Sequence, residues 1–375
     1  MASGAAGAAG AFLAATMAAL NSNSASARAA GDKAFLEQLY KELESPFVWG
    51  LLPSLGSHRS DSSRWDCHIR RLADVLQVAD SPWTRVVLHL NLSWLFFKRG
   101  DNRTSRSHLA EADAVLGMAQ WSGAEAGLLL RGEEAARHAL GAAWAHLAHV
   151  CTPLADMQPE LVDITPVRRL GPGQRAALYG LQASCLYFLC VQGEKMGKKM
   201  VSAARKASGL QPEEGEWLLL MGKRPDAAAA GLEGDAMTPH AAVYTATRHV
   251  YCGEWLAARV LLRRALDLWP ANVYVQAYVA YLYAGWVQEQ LPPAAAHERV
   301  AERCSVEAVR LAPGCVLVHA VRRLVRPEHN SPCLSRCSKV YGMGVDEMVT
   351  KMRGSCFVLE GIMCGFVSGH KEKRV

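Results

Sequence analysis

Apolar residues between His240 and Asn272 recur at the spacing of two amphipathic helices that pack against each other. Small residues at the contact positions allow the two helices to approach closely, a glycine turns the chain between them, and a proline ends the second helix. The positions that carry this pattern are Ala246, Gly253, Ala258, Leu262, Ala265, Leu266 and Pro270. The segment therefore predicts a helix–turn–helix unit that buries one face.

The same pattern returns elsewhere in the chain, which makes it a repeat. The next unit has Ala280, Tyr283, Ala301, Ala308 and Pro313 in register, with extra residues in its turn near Leu291. An earlier unit has Phe96, Gly100, Leu109 and Ala112 in step, with Ser105 in place of the usual alanine, and a third runs through Gly193, Ala204, Ala207 and Pro212. The spacing is typical of tetratricopeptide repeats. We predict an all-α superhelix, an α-solenoid, with turns near Gly100, Gly193 and Gly253 and a concave surface for binding.

The repeats divide the chain into three parts. Residues 1–32 form a leader rich in Ala, Gly and Ser with no basic residue before Arg28, which predicts a disordered tail, with a transit peptide as the alternative. Residues 33–328 form the superhelix. Residues 329–375 combine glycines with cysteines and lack the repeat register. We expect this last part to be irregular and weakly packed, with one or two short helices docked on the last repeat and no share in the binding surface.

Composition points to a protein of the cytosol. Of the 375 residues, 50% are hydrophobic and 20% are charged, and no apolar run reaches the length of a membrane span. The 11 cysteines are odd in number and form no C-x-x-C pair, which favours free thiols in a reducing compartment. We therefore expect a cytoplasmic protein without a membrane partner.

Catalytic and metal-binding motifs find little support. The chain has no H-E-x-x-H, no phosphate-binding loop and no G-x-S-x-G. Cys333, Cys337, Cys356 and Cys364 are spaced unlike the ligands of common zinc sites. We expect no enzyme activity, no cofactor and no metal.

Several segments resemble the interferon-induced proteins with tetratricopeptide repeats. That family begins with Leu-Glu-Cys-His-Phe-Thr-Trp-Asn-Leu-Leu, and residues 43–52 keep its Leu43, Glu44, Phe47, Trp49, Leu51 and Leu52. NLSWLFFKRGDN, GAAWAHLAHV and LLRRALDLWPANVYVQAYVAYLY are similar to later family segments, so that the likeness covers about residues 35–328. The resemblance implies a cytosolic antiviral protein that holds single-stranded RNA ends in a basic tunnel. Residues 329–375 do not match the family's further repeats, so we expect an RNA pocket that is open, shallow or missing.

Five residues are the candidate RNA contacts. The resemblance places His68 and Arg71 on the family's RNA-contacting N-terminal helix, within a stretch of nine Lys/Arg against five Asp between His58 and Arg106. Lys199 belongs to a second cluster with Lys195, Lys198, Arg205 and Lys206, and is expected at a turn or helix start, where a solvated role is the alternative.

Aromatic side chains supply the other two candidates. Tyr274 matches an aromatic residue of the family's tunnel-lining helix, and Tyr278 lies on the same helical face at a spacing of four. They can stack on unpaired bases or fill the packing between repeats. Trp49, Trp94 and Trp144 are expected in the core.

Two functions remain open at this point. One is an RNA-binding antiviral effector, and the other is a protein-binding adaptor that grips a peptide or a partner helix on the same concave surface. Self-association through the repeats is open in both cases. RNA requires Arg, Lys and aromatic residues on the inner face, whereas a peptide groove more often has Asn, Lys and apolar pockets.

Overall fold

The computed structural model describes residues 43–51, 62–79, 81–117, 124–151, 164, 167–189, 194–212, 214, 217, 220, 239–287 and 294–354. Across these ranges it has thirteen α-helices and no strand. We number them α1 Ser62–Leu76, α2 Pro82–Arg99, α3 Asn102–Gly117, α4 Ala124–Cys151, α5 Pro172–Leu189, α6 Glu194–Leu210, α7 Pro239–Tyr251, α8 Trp255–Leu268, α9 Val273–Leu282, α10 Ala294–Leu311, α11 Val316–Val325, α12 Cys337–Tyr341 and α13 Val345–Gly354. None of the described helices is long and apolar enough to cross a bilayer.

Successive helices pack in pairs, with α2 on α3, α5 on α6, α7 on α8 and α9 on α10. Gly100 and Gly253 turn the chain within two pairs, at φ of 89° and 76°, a left-handed conformation that glycine adopts without strain. The predicted turns at both glycines are confirmed, and the tetratricopeptide-type all-α solenoid is the observed fold. Gly193 and the expected start of the superhelix at residue 33 lie outside the described residues.

Small residues at the repeat positions are buried between the paired helices. Ala246, Ala258 and Ala265 are fully buried, as close helix packing requires. Ser105, which replaces an alanine, is also fully buried, and its hydroxyl donates a 2.8 Å hydrogen bond to the Ser93 carbonyl. The hydroxyl is therefore satisfied inside the pair, and the repeat tolerates serine at this position.

Residues 43–51, which carry part of the family resemblance, form a turn against the first repeats. The Glu44 amide donates a 3.0 Å hydrogen bond to Nε2 of His138 on α4, and the ring of Phe47 lies 5.0 Å from that of Phe97. Trp49 is buried, as is Trp94, which confirms both as core residues, while Trp144 is half-buried.

The segment after the last repeat is better packed than the sequence predicts. A 3-10 turn over Pro332–Arg336 leads into α12, and α13 follows. Met348 and Met352 of α13 are fully buried, and α13 packs on α11, as expected of a cap. In addition α12 packs on α1, which the repeat pattern does not predict, because the pairing joins distant parts of the chain. Residues 355–375 lie outside the described part.

Candidate nucleic-acid interface

Positive charge concentrates on the α5–α6 helix pair. Residues 167–210 contain eight Lys/Arg and a single acidic residue, Glu194, which gives this segment a net charge of +7. The whole chain has a net charge of +6, so the remaining residues are close to neutral together. Such a concentration of one sign attracts anions to one region of the surface.

The basic residues of α6 share one face of the helix. Lys198, Lys199, Arg205 and Lys206 fall within an arc of about 120° when 100° is counted per residue, and all four are exposed. Ala203, Ala204 and Ala207 form the opposite, buried face that packs in the core. We call the four exposed cations the α6 basic stripe. At 1.5 Å per residue it extends for about 12 Å along the helix.

An aromatic ring borders the stripe. Nζ of Lys206 lies 5.2 Å from the ring centroid of Tyr179, which is half-buried on α5. The two helices run antiparallel, so α5 begins at the end of the pair where α6 stops, near Lys206. The exposed Arg168 and Arg169, which precede α5, therefore lie at this same end. Surfaces that bind single-stranded nucleic acid combine cations, which contact the phosphates, with aromatic rings, on which the bases stack.

Lys199 lies near the other end of the stripe. Its ammonium group donates a 3.3 Å hydrogen bond to the carbonyl of Gly50, in the turn that carries the family resemblance. The residue was expected at a turn or helix start, but α6 begins at Glu194 and places Lys199 in its second turn. A regular helix fixes the spacing of the basic residues, which a turn would not do.

The two candidates on α1 differ in exposure. Arg71 is only 4% exposed, and its guanidinium donates a 2.7 Å hydrogen bond to the Phe188 carbonyl near the end of α5. His68 is half-buried. Arg71 therefore ties α1 to the α5–α6 pair in this conformation, and a ligand reaches it only if that contact opens.

The two tyrosine candidates pack together, as their spacing predicts. The ring centroids of Tyr274 and Tyr278 lie 4.5 Å apart, but Tyr278 is 1% exposed whereas Tyr274 is half-buried. The Tyr278 ring therefore fills the packing between repeats, and in this conformation Tyr274 alone of the pair presents a surface for stacking.

The structure brings the candidates together only in part. Arg71 contacts the α5–α6 pair at the end where α5 stops, and Lys199 of α6 lies at this end too. The two tyrosines lie on α9, which packs on α7, α10 and α11. The sequence interpretation selected Lys199 alone from the basic cluster. Its neighbours 198, 205 and 206 were open to detection, because Lys198 and Lys199 are followed seven residues later by Arg205 and Lys206, a spacing of two turns that returns to the same helical face.

The fold and this surface define the chain as a tetratricopeptide-type helical solenoid with a basic helix pair. No family model matches the sequence, and no curated protein matches it. Among solved structures, a human IFIT1 dimer with m7Gppp-AAAA aligns at a TM-score of 0.52 and 14% identity, over 88% of this chain and 71% of that one. A monomeric mutant of IFIT1 with m7Gppp-AAAA aligns at a TM-score of 0.47 and 16% identity, over 88% of this chain and 72% of that one. At these identities the likeness shows the fold alone.

Proposed function

We propose that this protein binds single-stranded RNA, with the α6 basic stripe holding the phosphate backbone. The observation that carries the proposal is the charge distribution: residues 167–210 have a net charge of +7, against +6 for the whole chain. Four of these cations are exposed on one helical face. Phosphate contacts from such a surface supply most of the affinity in sequence-independent nucleic-acid binding.

The fold of a known RNA complex supports the proposal. The solved structure that aligns at a TM-score of 0.52 is a human IFIT1 dimer with m7Gppp-AAAA. By analogy with it and with the family resemblance, we propose an antiviral role in innate defence and a cytosolic location. The same analogy suggests self-association, because that structure is a dimer.

Within this proposal the candidate residues take different parts. Lys199 contacts a phosphate together with the rest of the α6 basic stripe. Tyr274 stacks on a base from its exposed side, with Tyr278 packed behind it as support. His68 and Arg71 approach the RNA from α1, and the contribution of Arg71 requires its bond to Phe188 to open.

Salt dependence tests the proposal directly. Binding of a fluorescently labelled single-stranded RNA to the full chain should weaken with a slope of roughly −0.7 per phosphate contact in a plot of log K against log salt. Four contacts on the stripe would give a slope near −3 by the same rule. Absence of binding at about 50 mM salt would contradict the proposal.

A protein-binding adaptor is the second candidate, and α8 provides the observation that favours it. Leu256, Val260 and Leu268 on this helix are 61%, 64% and 50% exposed, high values for large apolar side chains. Leu256 and Val260 are four residues apart and so share one helical face, and exposed apolar patches can mark a protein contact. A protein partner that binds the wild type should still bind a variant lacking the α6 basic stripe but not the Leu256→Glu/Val260→Glu variant. That result would favour the adaptor.

A further inference from the structure

The carboxylate of Asp74, near the end of α1, caps a helix that begins more than two hundred residues later. Its two oxygens accept hydrogen bonds from the Val316 amide at 2.8 Å and the Leu317 amide at 3.2 Å, the first two amides of α11. The residue at the N-cap position, Cys315, makes no side-chain cap bond of its own. Asp74 therefore supplies from α1 the acceptor that the first turn of α11 requires.

The same carboxylate also accepts a hydrogen bond from the segment that follows the last repeat. The Tyr341 hydroxyl donates a 2.7 Å hydrogen bond to Oδ2 of Asp74, and the Cys315 thiol lies 3.3 Å from that oxygen. Asp74, Cys315 and Tyr341 are all buried, so the loss of any one of them would leave a buried polar group without that hydrogen-bond partner. One carboxylate thus joins three elements: α1, α11 and α12.

Two further contacts bind α12 along the same face of α1. The Arg70 guanidinium donates through Nε to the Lys339 carbonyl at 2.9 Å, and the Cys67 thiol lies 3.6 Å from the Val340 carbonyl. Cys67, Arg70 and Asp74 occupy positions i, i+3 and i+7, which is one helical face. Residues 339–341 therefore cover this face of α1 in the observed conformation.

The segment has the features of a unit that opens separately from the repeats. Its first helix, α12, has five residues and is too short to be stable without its docking surface. Two more of its polar contacts are exposed to solvent: Arg336 bonds the Gly314 carbonyl, and Arg323 of α11 pairs with Asp346 at 3.1 Å. Units of this size open below the free energy of global unfolding.

We propose that residues 332–354 are a strap that closes the solenoid by docking on α1 and α11, with the Tyr341–Asp74 bond as its latch, and that the strap releases as one unit. Release uncovers the face of α1 formed by Cys67, Arg70 and Asp74 while the repeats stay folded. The inference does not depend on the proposed RNA binding. It assigns to this segment a control over access to α1.

The reactivity of cysteines in the strap and in the helices beneath it reports release of the strap. Cys67 lies under the strap, Cys315 beneath the latch and Cys337 within the strap, whereas Cys185 and Cys304 are buried in the repeats. Burial raises the pKa of the Cys337 thiol to about 11 and that of Cys315 well above its ordinary value, so that these two thiols react only after opening. Cys252, exposed in the turn after α7, reacts without any opening and serves as the positive control.

The experiment is pulsed thiol alkylation of the full-length native protein, read peptide by peptide by mass spectrometry. We expect Cys315 and Cys337 to be labelled together and faster than Cys185. The Tyr341→Phe variant should accelerate Cys67, Cys315 and Cys337 by roughly tenfold, the effect of losing one hydrogen bond to a charged group, and leave Cys185 and Cys304 unchanged. Tyr251→Phe makes the same chemical change at an exposed tyrosine on α7 and should alter none of these rates.

Two results would overturn the proposal. Equal acceleration of all buried cysteines in Tyr341→Phe would mean that the segment unfolds only with the whole chain. No acceleration at Cys67 and Cys315 would mean that the Tyr341–Asp74 bond does not hold the segment closed. If Tyr341→Phe fails to fold, the wild-type comparison decides, because equal rates at Cys315, Cys337 and Cys185 already exclude a separate opening.

Discussion

The Tyr341 hydroxyl bonds the Asp74 carboxylate at 2.7 Å, although 267 positions separate the two residues in sequence. Through this bond the helix that precedes the first repeat pair meets the segment that follows the last one. The same carboxylate caps α11. The two ends of the described solenoid are therefore joined at one buried acidic group.

Replacing Asp74 with Asn should destabilise the protein. The amide keeps the volume of the side chain but loses the charge, and its NH2 group cannot accept from the α11 amides. Hydrogen bonds to a charged acceptor contribute more than neutral ones, so we expect a loss of about 2 kcal/mol in the free energy of unfolding. Urea denaturation followed by circular dichroism measures it. Asp113→Asn on the exposed face of α3 is the matched control and should be close to neutral; equal effects of the two substitutions would contradict the capping role.

Gly180→Ala should overpack the core beside Trp217. A Cβ atom added at Gly180 would overlap the indole ring of Trp217, which would have to be displaced. Trp217 is fully buried, so its ring cannot move into solvent, and we expect a cost of about 1–3 kcal/mol in the free energy of unfolding. Thermal unfolding provides the measurement. Gly173→Ala, on the same helix with open space around it, should be neutral or slightly stabilising.

The pH dependence of stability should include a contribution from His89. Burial, with smaller effects of His108 and Arg85, lowers the pKa of His89 from 6.5 to about 4. Below pH 6.5 the unfolded chain binds a proton at this position that the folded chain does not bind, so stability falls as the pH drops from 6.5 towards 4. Above that window the contribution is constant.

Urea titrations at about pH 7 and about pH 5 test this for the wild type and for His89→Gln. Glutamine does not titrate, so the variant should lose less stability between the two pH values than the wild type. An identical loss in both proteins would show that His89 is not held neutral by the fold.

Local pattern was sufficient to predict the repeats but not their closure. Ala246, Gly253 and Ala258 determine one helix pair through neighbours within about twenty residues, and the structure places them as that pattern requires. The Asp74 cap depends on residues 241 to 267 positions away, and no periodicity connects them. The close packing of α12 and α13 was missed for the same reason.

The candidate site was predictable to a similar extent. The resemblance and the basic composition selected Lys199, which is exposed on a basic helical face. They also selected Arg71 and Tyr278, whose burial depends on contacts with α5 and with the neighbouring repeat helices. Residue type indicates the chemistry of a side chain, whereas its accessibility is decided by tertiary packing.

Removal of charges from the α6 basic stripe tests phosphate binding by this helix most directly, through the change in RNA affinity. Lys199→Gln/Arg205→Gln/Lys206→Gln removes three exposed charges from one face. The matched control, Arg103→Gln/Arg106→Gln/Arg263→Gln, removes three exposed charges from α3 and α8. Fluorescence anisotropy with a labelled single-stranded RNA, measured across a salt series, compares both with the wild type. If α6 holds the phosphate backbone, the α6 variant binds more weakly and its salt slope is reduced by roughly 2, while the control binds as the wild type does. Equal losses in the two variants, or an unchanged slope in the α6 variant, would contradict a phosphate-binding role for α6.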